Sequence, residues 1–194
     1  MKILSNSQAF QDLFALSICG QNSTYIEIGA NHPKTNSNSY MLEIDYNWKG
    51  VSIELNEGHS HKWKTFGKRK RENRIYWSDA LHFDYLEALK ENNMPTQIGY
   101  LSCDIEPPYN TFAALQKVLS YGIEFKCITF EHDLYNYKEK NYNEISREYL
   151  ESMGYKVAVT NVYWSLPENH FETWYVKNDI DFSPTTFENW KNSL

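Results

Sequence analysis

The sequence predicts a single α/β domain built on a doubly wound, mostly parallel seven-stranded sheet with an antiparallel last strand. Three observations support this prediction. The strand-like segments are apolar almost throughout, as is typical of strands that are buried on both faces. Most of them are separated by helical patterns of about 10 to 15 residues, which is the spacing of βαβ units. The last two are joined only by "SLPENH", which is too short for a crossover and favours antiparallel pairing.

The first half of the chain alternates strands and helices. Residues 1–23 are expected to form a helical extension before the sheet. The segment "TYIEIG" predicts the first strand, and "NSNSYMLEIDYN" predicts a helix because Ser and Asn are favoured helix caps. Two more strands are predicted at "GVSIEL" and "NRIYWSDAL", and a helix that ends at two asparagines is predicted at "FDYLEALKENN".

The second half continues this alternation. Strands are predicted at "IGYLSCDIE", "FKCITFEHD", "YKVAVTNVYW" and "FETWYV". Helices are predicted at "TFAALQKVLSYG" and "NEISREYLESMG", which end at Gly122 and Gly154. Because no repeat, low-complexity tract or linker interrupts this pattern, we expect one domain over residues 1–194.

The composition is ordinary for a soluble globular chain, with 41% hydrophobic and 23% charged residues. No run approaches the roughly 20 apolar residues of a membrane helix, and "MKILSNSQAFQDLF" has no apolar signal core. The three widely spaced cysteines predict buried thiols in a reducing compartment. We therefore expect a cytoplasmic protein without a membrane span.

The charge is unevenly distributed. The formal net charge of −6 argues against a general nucleic-acid partner. Within residues 62–74, however, seven basic residues accompany one acidic residue, Glu72. Such a run is usually a solvated face. The alternatives are a site that holds a phosphate-bearing substrate or single-stranded nucleic acid, or a surface that docks another partner.

The stretch "YIEIGANHPKTNSNSYMLE" begins like a dinucleotide-binding turn and then departs from that motif. An apolar strand leads into Gly29, but His32, Pro33 and Lys34 stand where further glycines would let a pyrophosphate approach. A ligand without phosphate groups does not need those glycines. The first turn therefore favours a nucleoside-type ligand that lacks a pyrophosphate.

Acidic residues mark the ends of five successive predicted strands, where ligands bind in doubly wound sheets. These residues are Glu27, Glu54, Asp79, Asp104 and Glu131. A crevice of this kind suits a ligand with a positive centre and hydroxyl groups, and S-adenosylmethionine has both. Glu54 would hold the ribose, Asp79 and Ala80 would meet the adenine edge, and Gly29 would permit close backbone approach.

These segments resemble the FkbM-type methyltransferases, a branch of the Rossmann-like, S-adenosylmethionine-dependent enzymes. The resemblance extends over about residues 24 to 178, with matching segments, in order, "YIEIGANHPKTNSNSYMLE", "WKGVSIELN", "SDAL", "YLSCDIE", "FEHD" and "FETWYV". It implies the class I methyltransferase fold with S-adenosylmethionine as cofactor. Two departures, at Pro107–Pro108 and at Thr173, lie on the expected substrate side and leave the acceptor open.

The resemblance also implies a set of cofactor contacts. From the methionine end to the adenine, they are Glu27, Gly29, Asn31, Ser37, Asn38, Glu54, Asp79 and Ala80. Pairing with a lysine is the alternative role for Glu27. For Ser37 and Asn38, the alternative role is capping of the following helix.

Methyl transfer to a hydroxyl needs alignment of the acceptor and removal of its proton. The segments "DIE" and "EHD" offer suitable groups at the ends of neighbouring strands. His132 is the expected base because imidazole titrates near neutrality. Alternatively, Asp104, Glu131 and His132 would hold Mg²⁺ or Mn²⁺. With neither role, Asp104 would neutralise the methionine ammonium.

The leading functional hypothesis is O-methylation of a hydroxyl on a carbohydrate or other small molecule. N-methylation stays open, because the motifs describe the cofactor better than the acceptor. The second hypothesis is an NAD-linked oxidoreductase, since Glu54 would also serve a dinucleotide, although no Tyr–x–x–x–Lys is present. The third is a non-catalytic Rossmann-like binding module that docks a partner through residues 62–74. The oligomeric state is open, a homo-oligomer included.

Overall fold

The structure is a computed structural model that describes residues 5–65, 71–163 and 166–194. The strands are β1 Thr24–Ile28, β2 Lys49–Glu54, β3 Arg74–Trp77, β4 Gln97–Cys103, β5 Glu124–Glu131, β6 Tyr155–Tyr163 and β7 His170–Lys177. The helices are α1 Gln11–Cys19, α2 Tyr40–Tyr46, α3 Ser60–Thr65, α4 Tyr85–Glu91, α5 Pro108–Ser120, α6 Tyr142–Ser152 and α7 Pro184–Asn192. A 3₁₀ turn, Glu57–His59, precedes α3.

The strands form one seven-stranded sheet in the order β3-β2-β1-β4-β5-β7-β6. Strands β1 to β5 run parallel to one another, whereas β7 is antiparallel to both β5 and β6. The direction of strand order reverses between β1 and β4, and ligands bind at the carboxyl ends of strands at such a point. The predicted sheet, mostly parallel with an antiparallel last strand, is confirmed.

Helices cover both faces of the sheet. On one face, α4, α5 and α6 bury residues such as Leu115 and Leu150 in one hydrophobic cluster. On the other face, α1, α2 and α7 contribute Phe14, Leu42 and Phe187 to a second cluster. Because both faces are covered, the strands can be apolar throughout, which is the feature that predicted the parallel sheet.

Some elements differ from the predicted ones. Strand β4 ends at Cys103, so Asp104 and Glu106 lie beyond the strand. The short helix α3 was not predicted, because its segment reads as a solvated basic run. Helix α7 was not predicted either, although Ser183 accepts a hydrogen bond from the N–H of Thr186 and Pro184 is the first residue of the helix. These two residues form an ordinary start signal.

The cysteines are all free thiols. Cys103 and Cys127 are buried as predicted, while Cys19 at the end of α1 is only partly buried. Over the described ranges, the helices are too short or too polar to cross a bilayer.

Candidate active site

The carboxyl ends of the parallel strands surround a cavity of about 900 Å³. This volume lies within the range of small-molecule sites. The loops that follow β1 to β5 all contribute to its wall. The predicted site residues that line it are Gly29, Asn31, Glu54, Asp79, Ala80, Asp104 and Glu131.

Gly29 brings the first turn against the end of β4. Its φ of 88° lies in the left-handed region, and an added Cβ would overlap the carbonyl oxygen of Asp104. The N–H of Gly29 donates to the Ile53 oxygen at 2.9 Å, and the N–H of Asp104 donates to the Ile28 oxygen at 3.0 Å. A side chain at position 29 would therefore separate two strands that meet at the cavity floor.

Glu54, the last residue of β2, is held by backbone donors on both carboxylate oxygens. The N–H of Asn31 donates to Oε2 at 2.8 Å, and the N–H of Asn56 donates to Oε1 at 2.7 Å. Each oxygen retains acceptor capacity for a ligand. The carboxylate is thus fixed in orientation at the edge of the cavity.

Asp79 and Ala80 follow β3 and form another part of the wall. Asp79 accepts hydrogen bonds from the N–H of Leu81 at 2.8 Å and from the ring of His82 at 2.9 Å. These hydrogen bonds lower the pKa of Asp79, and the bond from Leu81 has the larger effect. Asp79 is therefore an ionised acceptor at neutral pH, next to the buried Ala80.

Asp104, directly after the central strand β4, lies among other carboxylates. Burial, together with the charges of Asp133, Glu106, Glu27 and Glu54, raises the pKa of Asp104 to about 7. The carboxyl group therefore titrates near neutrality. In its ionised form it can accept a proton from a hydroxyl or face a cation.

Glu27 lies behind the first turn, not in the cavity. It is buried inside β1, and its Oε2 accepts hydrogen bonds from Ser39 at 2.6 Å and from Ser52 at 2.8 Å. Arg71 lies 3.9 Å from the same oxygen. This placement corrects the expectation that Glu27 contacts the methionine end of the cofactor. The alternative was pairing with a lysine, and the observed partner is an arginine.

Ser37 and Asn38 are also buried away from the cavity. Ser37 Oγ accepts a hydrogen bond of 3.1 Å from the N–H of Tyr40, the first residue of α2. Asn38 Nδ2 donates to Ser102 Oγ at 2.9 Å. The contact of Ser37 agrees with the capping role that was its alternative, whereas Asn38 attaches the segment before α2 to β4.

His132 does not line the cavity, which corrects its expected role as the base. Its exposed fraction is 1%. The ring Nδ1 accepts from the N–H of Leu134 at 3.2 Å, and Nε2 lies 3.3 Å from Thr173 Oγ1. Burial lowers the pKa of His132 to about 4. The ring is thus neutral at pH 7 and already has partners at both nitrogens.

The expected Mg²⁺ or Mn²⁺ site is not assembled. Asp104 and Glu131 share the cavity wall, but His132 does not join them. Within residues 5–65, 71–163 and 166–194, no three His, Cys, Asp or Glu side chains form a group that could hold a metal ion.

His59 lines the cavity, although sequence patterns did not predict it. Its Nδ1 is buried and, among the described residues, has no hydrogen-bond partner. A tight turn places it there, since the Asn56 side chain accepts a hydrogen bond of 2.8 Å from the N–H of Gly58. This Asn–x–Gly turn directly after a strand-end acid was the available signal.

The basic segment 62–74 is not one uniform surface. Lys62 and Lys64 on α3 are exposed, whereas Arg71 is buried, with an exposed fraction of 6%. Residues 66–70, which carry three of the basic side chains, lie outside the described residues. Arg71 therefore does not belong to a uniformly solvated face or to a docking face.

No protein-family model matches the sequence, and a comparison with curated proteins found no match. Solved structures do match. A protein of the NADB-Rossmann superfamily from Streptococcus agalactiae has a TM-score of 0.58 and 13% identity, covering 99% of this chain and 83% of that chain. Fibrillarin from Aeropyrum pernix, with natively bound S-adenosyl-L-methionine, has a TM-score of 0.57 and 12% identity, covering 87% and 76%.

Magnesium protoporphyrin IX methyltransferase from Synechocystis, with bound S-adenosylmethionine, has a TM-score of 0.55 and 12% identity, covering 88% of this chain and 79% of that chain. At these identities the likeness is one of fold. The chain has the Rossmann-like fold seen in these structures, which confirms the predicted fold class.

Proposed function

We propose that this protein is an S-adenosylmethionine-dependent methyltransferase of the FkbM type that methylates a hydroxyl of a carbohydrate or other small molecule. One observation carries the proposal. Five carboxylates line the cavity, and its described lining contains no Lys or Arg. Such a wall favours a cation that bears hydroxyls and disfavours a pyrophosphate or a nucleic-acid backbone. Two neighbours of the same fold that bind this cofactor add support.

The cofactor contacts that we propose follow the wall of the cavity. Glu54, oriented by two backbone N–H groups, would accept hydrogen bonds from the ribose hydroxyls. Gly29 would let the ligand approach the backbone of the first turn, beside Asn31. Asp79 and Ala80 would face the adenine edge, where an ionised carboxylate accepts from an amino group.

The chemistry that we propose uses the carboxylates at the ends of β4 and β5. When bound, S-adenosylmethionine would supply a methyl group that is activated by its sulfonium. Asp104, with its pKa near neutrality, would take the proton of the acceptor hydroxyl. Glu131 would orient that hydroxyl. Asp104 thereby takes the role expected of His132.

Calorimetric titration with S-adenosylhomocysteine and, separately, NAD⁺ tests the proposal. We expect micromolar binding of the thioether and at least about tenfold weaker binding to Glu54→Ala, because hydrogen bonds to a charged group are worth about 1.5–3 kcal/mol. Glu57→Ala, an exposed acid in the next turn, is the matched control and should bind like the wild type.

The opposite results are equally informative. Binding of NAD⁺ alone would replace the methyltransferase with an oxidoreductase. If the thioether binds, an acceptor screen with methyl-labelled cofactor follows, with and without Mg²⁺ or Mn²⁺. Labelled products that form only on amines would move the acceptor from a hydroxyl to nitrogen.

A further inference from the structure

The first turn lacks the glycines that shape a dinucleotide-binding loop, so other contacts must fix its conformation. Residues 31–39 connect the floor of the cavity to α2. Behind them lies the side chain of Arg71, which is 3% exposed. This buried guanidinium belongs to none of the groups that line the cavity.

Arg71 contacts the turn at three separate points. Its Nη1 donates to the carbonyl oxygen of Pro33 at 3.3 Å and to Ser37 Oγ at 3.2 Å. Its Nη2 donates to Ser39 Oγ at 2.7 Å. A planar guanidinium that binds three positions of one loop restricts the loop to a single shape.

Two neighbouring elements hold the guanidinium in place. Nε donates to Glu43 on α2 at 2.6 Å, and Nη2 donates to the Tyr25 hydroxyl on β1 at 2.6 Å. The backbone N–H groups of Glu72 and Asn73 bond the other oxygen of Glu43, at 2.6 and 3.0 Å. The charge is therefore paired and its orientation is fixed by the sheet and α2.

Trp63 links this cluster to the cavity. Its ring lies under the Arg71 guanidinium at 4.5 Å from Cζ to the ring centroid. Its Nε1 donates to the carbonyl oxygen of Asn31 at 3.0 Å, and the N–H of Asn31 donates to Glu54 at 2.8 Å. A continuous series of contacts thus runs from Arg71 to the carboxylate that we assign to the ribose.

We infer that Arg71 is a positioning residue for cofactor binding, which holds residues 31–39 in shape and, through Trp63 and Asn31, orients Glu54. This inference rests on the proposed function. It also gives part of the basic segment an inward role, distinct from docking a partner or a nucleic acid.

Calorimetric titration with S-adenosylhomocysteine, at a temperature well below the Tm of each variant, tests the inference. Arg71→Gln should weaken binding about tenfold or more, because misplaced groups lose binding even when they are present. Arg71→Lys should bind S-adenosylhomocysteine as weakly as Arg71→Gln, since lysine keeps the charge but not the planar guanidinium. Arg74→Gln is the matched control, because Arg74 is exposed and contacts Glu91 and the ring of Tyr76, away from residues 31–39.

Trp63→Phe keeps an aromatic ring under the guanidinium but removes the N–H to Asn31, together with part of the indole. We expect severalfold weaker binding from it, and it decides the matter if Arg71→Gln does not fold. A lower Tm with unchanged affinity in both variants would reduce Arg71 to a stabilising residue and overturn the inference. Full recovery in Arg71→Lys would also overturn it, because charge alone would then suffice. Failure of the wild type to bind would instead remove the proposed function, and the inference with it.

Discussion

The backbone N–H of Asn31 donates a hydrogen bond of 2.8 Å to the carboxylate of Glu54 and so joins the first turn to the end of β2. Asn31 has a φ of 43°, in the left-handed region, which a β-branched residue does not adopt readily. The backbone of Asn31 makes this contact, whereas Asn31 as a residue is exposed. Backbone shape at position 31 should therefore matter more than side-chain chemistry.

Substitutions at Asn31 separate these two contributions. Asn31→Gly keeps the N–H and adopts a positive φ readily, so its affinity for S-adenosylhomocysteine should stay within about threefold of the wild type. Asn31→Val disfavours this φ and should bind about tenfold more weakly. Calorimetric titration measures both. If Asn31→Gly binds as weakly as Asn31→Val, the side chain itself contacts the ligand.

Gly29→Ala should destabilise the fold more than an alanine at another glycine with positive φ. The left-handed conformation costs about 1–2 kcal/mol for a residue with a Cβ, and the overlap with the Asp104 carbonyl adds about 1–3 kcal/mol. Gly154→Ala is the control, because its φ is 84° but no atom lies within 4 Å of the added Cβ. Urea unfolding should show the larger loss for Gly29→Ala, and equal losses would argue against close packing at the cavity floor.

The residues that gather around the cavity could be predicted because strand ends can be read from the sequence. Apolar runs mark the strands, and the carboxyl ends of parallel strands share one edge of the sheet. Glu54, Asp79, Asp104 and Glu131 follow directly from this geometry. Small errors in strand ends did not matter, because the loops after the strands line the same cavity.

Side-chain direction and long-range pairing could not be predicted in the same way. Glu27 is one residue before the end of β1, and alternation along the strand places it on the face opposite Ile26 and Ile28. Its partner Arg71 is far away in the chain, within a run that reads as solvated. His132 lies just past β5, but it turns toward β7 and bonds Thr173. No local sequence pattern indicates these side-chain directions or these long-range partners.

His132 should contribute to stability, not to ligand binding. At pH 7, His132→Gln should destabilise the fold by about 1–3 kcal/mol, because buried hydrogen bonds to Thr173 and Leu134 are disturbed. Its affinity for S-adenosylhomocysteine should stay within about twofold. A large loss of affinity in a folded variant would indicate that His132 does contribute to ligand binding.

The pH dependence of stability provides a second test of His132. Its folded-state pKa of about 4 lies below the ordinary value of 6.5, so the unfolded chain binds more protons between these values. The contribution of the neutral ring is complete above pH 6.5 and is lost as the pH falls toward 4. Urea unfolding from pH 7 to 4 should therefore show a smaller loss of stability for His132→Gln than for the wild type.

The affinity for S-adenosylmethionine should rise as the pH increases through 7. Burial and neighbouring carboxylates keep Asp104 partly protonated at this pH, with a pKa of about 7. A cationic ligand binds better to the ionised form, so deprotonation between pH 6 and 8 should tighten binding severalfold. Asp133 is buried and has a pKa of about 6, so its ionisation should also raise the affinity, over a lower pH range.

Titration of S-adenosylmethionine at pH 6, 7 and 8 measures this effect. Asp104→Asn cannot ionise, so its affinity should be nearly independent of pH between 7 and 8, where Asp133 is already ionised. Asp181→Asn, at an exposed position far along the chain from the cavity residues, should retain the wild-type dependence. An unchanged pH dependence in Asp104→Asn would mean that another group faces the positive charge of the ligand.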